Sequence, residues 1–237
     1  MINAIGPTSS LEKGETFHDM GKVISQFADM VALRHPLAES VHQLAAGSKI
    51  PVFNAGNGSF EHPTQALLDA YTIRNHFSKV GGDLSGLEVA IVGDILHSRV
   101  ARSNVLLLEK LGANVTLIAP PTLMPVGVAS WKTKVSYDLD ANLEKYDVVM
   151  MLRIQSERMK DAYFPSEREY SRGYGLDQNR LGKMKSGSIV MHPGPMNRGL
   201  EISADSADSI NSVILEQVTN GVLIRMSVLY SLLGGAL

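Results

Sequence analysis

Short β-branched apolar runs alternate with segments of helical period along almost the whole chain, the pattern of parallel sheets covered by crossover helices. The predicted fold class is therefore α/β. Thr16 stands as an N-cap before a helical stretch reaching about residue 27, followed by a strand over 30–33, a helix over 38–46 and a short strand over 51–53. A longer helix starts at Pro63 and ends before a glycine-rich break at Gly81, Gly82 and Gly86, which reads as a domain junction. Beyond it the pattern predicts strands over 88–92, 114–118, 134–137, 148–152 and 188–191, with helices over 100–111 and 141–145. Those five strands make a complete sheet. The segment 213–232 is apolar at helical spacing and is expected to pack back on the first unit.

Three parts follow: 1–79, 80–208 and a C-terminal helix within 209–237. The first is incomplete by its own logic, because two strands and a few helices do not make a covered parallel sheet. Its flanking elements are expected ahead of residue 1.

Composition narrows the function classes. With 237 residues and 44% hydrophobic content, the chain can bury one large core or two modest ones. A formal net charge of -2 with 19% charged residues gives no overall bias toward nucleic acid or membrane, so any anion site must be local. The chain has no cysteine, which excludes disulfides, thiolate metal sites and a cysteine nucleophile, and fits a cytoplasmic protein. The longest apolar runs, such as 148–152, are strand-sized, and residues 1–5 lack the basic and apolar regions of a signal peptide.

Several clusters fall at predicted strand ends, where open α/β sheets place their ligands. The loop 9–16 sets Lys13 among small residues just before a helix start, an arrangement able to hold an anion. Arg34 follows the strand over 30–33. The turn-rich segment 54–65 delivers His62 and Gln65 around Pro63, and a histidine beside a helix start can stay neutral and donate to an oxyanion. Arg99 occupies the first turn of a helix, against the helix dipole, and so is better explained by a bound anion. Arg153 and Gln155 leave a buried strand together, beside a stiff turn containing Gly194 and Pro195 whose carbonyls can accept from an amine. Singly, each has an ordinary explanation as a cap, a surface arginine or a structural turn. Together they describe a cleft for a small polyanion. The Gly-x-Gly-x-x-Gly spacing of a dinucleotide site is absent.

Lys-Gly-Glu-Thr at 13–16, Arg-His-Pro at 34–36, His-Pro-Thr-Gln at 62–65, Gly93-Asp94 through Arg99, Arg-Ile-Gln at 153–155 and His-Pro-Gly-Pro at 192–195 resemble the aspartate carbamoyltransferases in order and spacing, over essentially the whole chain. The resemblance implies two parallel-sheet domains, with 1–79 the remnant of a carbamoyl-phosphate-binding domain plus the linking helix and 80–208 an aspartate-binding domain. It implies transfer of the carbamoyl group of carbamoyl phosphate to the amino group of L-aspartate, giving N-carbamoyl-L-aspartate and phosphate in pyrimidine synthesis, with no metal or organic cofactor. Arg34 and His62 would contact carbamoyl phosphate, His62 at the carbonyl oxygen, with Gln65 and the backbone of Gly194 and Pro195 holding the carbamoyl nitrogen. Arg99 would bind the α-carboxylate of aspartate, and Arg153 with Gln155 the β-carboxylate. Lys13, with Ser10, would reach a neighbouring subunit's site, which implies a homotrimer; a regulatory subunit or a dihydroorotase are further partners that the resemblance allows.

One departure stands out. The family's Ser-Thr-Arg-Thr-Arg phosphate loop has no counterpart in these 237 residues. About a quarter of the usual chain would lie before Met1, so an N-terminally truncated chain is expected. Two alternatives stay open at this point: a catalytically impaired fragment or paralogue that binds without turnover, and an ornithine-type carbamoyltransferase. The latter would place a cysteine in the turn at 192–195, where none stands.

Overall fold

The computed structural model describes residues 14–77, 83–155 and 163–235. Two parallel sheets organise the described residues. The smaller pairs β1 (Val31–His35) with β2 (Val52–Asn57), with Val31 opposite Val52 and His35 opposite Asn57. It is accompanied by α1 (Phe17–Ile24) and α2 (Ser40–Gly47). Thr16 caps α1 by accepting the Asp19 amide at 3.1 Å. Gly21 and Gly47 let these two helices meet closely, since a Cβ at either would overlap the other helix's backbone.

Helix α3 (Pro63–His76) leads to the second sheet, built from β3 (Glu88–Val92), β4 (Asn114–Ile118), β5 (Lys134–Ser136), β6 (Val148–Met151) and β7 (Ile189–Met191) in the order β5-β4-β3-β6-β7. The chain moves outward from β3 to β5 and then returns to lay β6 on β3's other side. That reversal opens a crevice between the carboxyl ends of β3 and β6, where such sheets bind ligands. Alternation along the strands fills two cores. Ile91, Met150 and Met191 face α4 (Arg99–Lys110) through Ala101, Val105 and Leu108, whereas Val92, Val149 and Val190 face Leu143, Ile202 and Ile214. Burial on both faces explains why these strands read as continuous apolar runs.

Helix α8 (Ile214–Leu232) lies along α3, where Gln217 Nε2 donates to Asp69 Oδ1 at 2.7 Å and Asn220 Nδ2 to Thr72 Oγ1 at 2.9 Å. Its other side exposes Leu215, Val218, Val222 and Met226 at three- and four-residue spacing. No helix among the described residues is long and apolar enough to cross a membrane.

The structure corrects several expected boundaries. Strand β1 includes Arg34, placed by the pattern just after it, and β2 runs on to Asn57 through part of the expected loop. Both extensions are polar, and backbone pairing with the neighbouring strand carries them without an apolar signature. Residues Asp140–Lys145 form a kinked 3-10 segment instead of an α-helix, with Asn142 outside helical geometry. Three further helices, α5 (Glu167–Tyr174), α6 (Gln178–Leu181) and α7 (Ala204–Ala207), are capped by Ser166, Asp177 and Ser203 but carry too little apolar periodicity to be expected.

Candidate active site

His62 occupies the N-cap of α3, its backbone N–H donating to Ser103 Oγ of α4 at 2.9 Å. Thr64 Oγ1 lies 3.5 Å from its Nδ1, at the limit of a hydrogen bond. Burial, then the positive charges of Arg99, Arg34 and Arg225, push the imidazole down to about 4, so the ring is neutral at neutral pH. A neutral ring N–H among cations is suited to receiving a developing negative oxygen. Arg34 itself lies exposed on β1.

Gln65 is buried one turn before Asp69, and its Nε2 donates to Asp69 Oδ1 at 3.0 Å. Since that carboxylate offers only acceptors, the bond orients the Gln65 amide and leaves Oε1 as its accepting end. A carbamoyl NH2 requires that polarity. Asp69 is completely buried and also receives Asn104 Nδ2 at 2.8 Å.

Arg99 opens α4, whose N-cap Ser98 accepts the Ala101 amide at 3.1 Å. Its guanidinium is buried and turned toward the end of β2, with Nη1 3.4 Å from the Gly58 carbonyl. The preceding turn is held by buried Asp94, which accepts from His97 N at 3.1 Å and lies 2.8 Å from His97 Nδ1. Burial raises the Asp94 carboxyl, offset by His97 and by the Gln155 backbone N–H. Gln155 thus ties the end of β6 to the turn after β3, and its Nε2 stands 3.5 Å from the His97 carbonyl.

Arg153 opens on a cavity of about 650 Å³ lined also by Glu167, Arg168, Arg172, Asn197 and Arg198. Excess positive charge there favours a dicarboxylate. Gln155 is not among the residues that line the cavity. Asn197 Nδ2 donates to the Ile154 carbonyl at 3.0 Å, binding the turn that carries Gly194 and Pro195 to the Arg153 segment. Gly194 takes φ +66, and its N–H donates to His192 Nδ1 at 2.9 Å. His192 Nε2 lies 3.2 Å from Glu201 Oε1.

Arg34, Arg99 and His62 therefore form one group, and Arg153 lines the cavity beside the Asn197 turn. Lys13 and Ser10 lie outside the described residues. No group of three or more metal-ligating side chains occurs among the described residues. Four contributors were not expected: Arg225, whose charge reaches His62, and the buried polar set Asp69, Asn104 and Gln217. Only polar residues interrupting otherwise apolar helix faces could have signalled them.

The sequence matches the family model for the aspartate/ornithine carbamoyltransferase carbamoyl-P binding domain over residues 2–75, and that for the Asp/Orn binding domain of the same family over residues 85–232. The aspartate carbamoyltransferase catalytic subunit of Acidothermus cellulolyticus is 58% identical over 236 residues, covering 99% of this chain and 72% of that protein. The subunit of the same name from Thermobifida fusca is 58% identical over 238 residues, covering 100% and 75%. Aspartate transcarbamoylase from Trypanosoma cruzi, solved in complex with N-(phosphonacetyl)-L-aspartic acid, is similar at a TM-score of 0.82 and 31% identity, covering 97% of this chain and 74% of that one.

Proposed function

The chain belongs to the aspartate/ornithine carbamoyltransferase family, and on that premise we propose how its residues carry out the aspartate carbamoyltransferase reaction. The enzyme transfers the carbamoyl group of carbamoyl phosphate to the amino group of L-aspartate. The uncharged amine attacks the carbonyl carbon. A C–N bond forms, the C–O bond to phosphate breaks, and the amine's proton leaves with the departing phosphate or to solvent. The protein need supply no nucleophile, only orientation and a place for the transient oxyanion.

The observation that carries the assignment of roles is His62, held neutral beside three arginines. Its N–H would meet the carbonyl oxygen, with Arg34 toward the phosphate. Gln65 Oε1 and the backbone of Gly194 and Pro195 would accept from the carbamoyl nitrogen. Arg99 would take the α-carboxylate of aspartate. Arg153 would take its β-carboxylate, as the adjoining basic cavity supports, with Gln155 steadying the crevice. The same reading includes a cytoplasmic homotrimer in which Lys13 and Ser10 complete a neighbour's site, as the family resemblance implies.

Incubating the chain with carbamoyl phosphate and L-aspartate is expected to yield N-carbamoyl-L-aspartate, and His62→Ala to lower kcat by about 100-fold or more. Product formed from ornithine but not aspartate would overturn the reading.

A further inference from the structure

We propose that Asp69 is a positioning residue that orients the acceptors for the carbamoyl nitrogen, and so sets the preference for a carbamoyl donor over an acyl donor of the same shape. This rests on the roles proposed above for Gln65 and Gly194. A fully buried carboxylate is costly in a protein interior unless every neighbour serves it. Here three amide NH2 groups from three helices converge on it: Gln65 on Oδ1 at 3.0 Å, Gln217 on Oδ1 at 2.7 Å and Asn104 on Oδ2 at 2.8 Å. Burial pushes its carboxyl up to about 6, against the pull of these three donors and of Arg225 on α8, so it is ionised at neutral pH.

An amide can present either end to a ligand, and an ionised carboxylate removes that freedom. Gln65 must give Asp69 its NH2 and keep Oε1 for the substrate. Gln217 does the same and turns its Oε1 to the His192 backbone N–H at 2.9 Å. His192 Nδ1 then accepts the Gly194 N–H at 2.9 Å, which puts the ring proton on Nε2, facing Glu201. One unbroken line, Gln65–Asp69–Gln217–His192–Gly194, thus joins the two places assigned to the carbamoyl nitrogen. Asp69→Asn leaves one acceptor oxygen where three donors converge, freeing Gln65 to turn its NH2 toward the substrate's NH2. A methyl ketone needs no acceptor there and is indifferent to the change.

The test is calorimetric titration with two stable isosteres, phosphonoacetamide, which carries the NH2, and 2-oxopropylphosphonate, which carries a methyl. The unaltered chain is expected to prefer the amide by about tenfold or more. Asp69→Asn is expected to bring the pair near parity while leaving the ketone's affinity within about twofold. Gln217→Met, which keeps Asp69 but breaks the line beyond it, is expected to narrow the preference by about threefold, and it decides the matter if Asp69→Asn does not fold. Equal loss for both ligands, or an unchanged ratio, overturns the inference. So does an unaltered chain that binds both without preference, although the carbamoyl phosphate reading then survives. An unaltered chain that binds neither overturns that reading and the inference with it.

Discussion

The α-carbon of Gly56 faces the Arg99 guanidinium so closely that a Cβ there would lie 2.9 Å from Cζ. Gly56 also holds φ +116, a backbone conformation closed to most side chains. The end of β2 thereby seats an arginine from the first turn of α4, joining the two sheets at the site. The flexible arginine tip is the group that gives way. Gly56→Ala is expected to destabilise the chain by about 1–3 kcal/mol through backbone strain. It should also raise the KM for aspartate several-fold by displacing Arg99, an effect steady-state kinetics would detect. An unchanged aspartate KM with a lowered melting temperature would separate Arg99 from the α-carboxylate.

Arg153→Ala is expected to lower kcat/KM for aspartate by about 30-fold or more, equivalent to about 2 kcal/mol, because the β-carboxylate would lose a charge-assisted partner. The cavity retains Arg168 and Arg172, while Arg198 is already paired with Asp208 at 2.7 Å, so some positive charge persists after the substitution. Kinetics indistinguishable from the parent would assign the carboxylate to one of those instead.

His62 gives a pH prediction with a definite sign. Its imidazole drops from the usual 6.5 to about 4 in the folded chain through burial and the arginines. The unfolded chain therefore binds a proton over that window when the folded chain does not. The group's contribution is fully present above 6.5 and is lost as pH falls toward 4, amounting to at most about 3 kcal/mol. In catalysis, no ionisation of His62 should bend the rate profile between pH 5 and 8. An NMR titration placing its ring near 6.5 would contradict both statements.

Legibility from sequence followed position along the sheets. Arg34, His62, Arg99 and Arg153 could be picked out because they recur at strand ends or helix starts, where open α/β sheets place their ligands, although each singly has an ordinary explanation. Asp69, Asn104 and Gln217 could not. Each sits inside a helix, where a polar residue ordinarily marks the solvent face, and the Gln217–Asp69 bond closes across 148 residues. The boundaries failed for a related reason. Arg34 and Asn57 belong to strands held by backbone pairing, which leaves no trace in side-chain pattern.

Asp69 supplies the opposite sign to His62. Its carboxyl rises from the usual 3.8 to about 6 because burial outweighs the three amide donors and Arg225. A raised group contributes stability that is whole below 3.8 and lost as pH climbs through 6, here about 3 kcal/mol. Urea unfolding of Asp69→Asn and the parent across pH 4 to 8 should therefore show the variant gaining on the parent up to about pH 6, with a constant difference above it. A difference independent of pH would mean that folding does not raise the carboxyl. The windows of His62 and Asp69 nearly coincide and oppose each other, so the parent's own curve should be flatter than that of either variant. His62→Gln should leave stability falling as pH rises through this range, and Asp69→Asn should leave it rising.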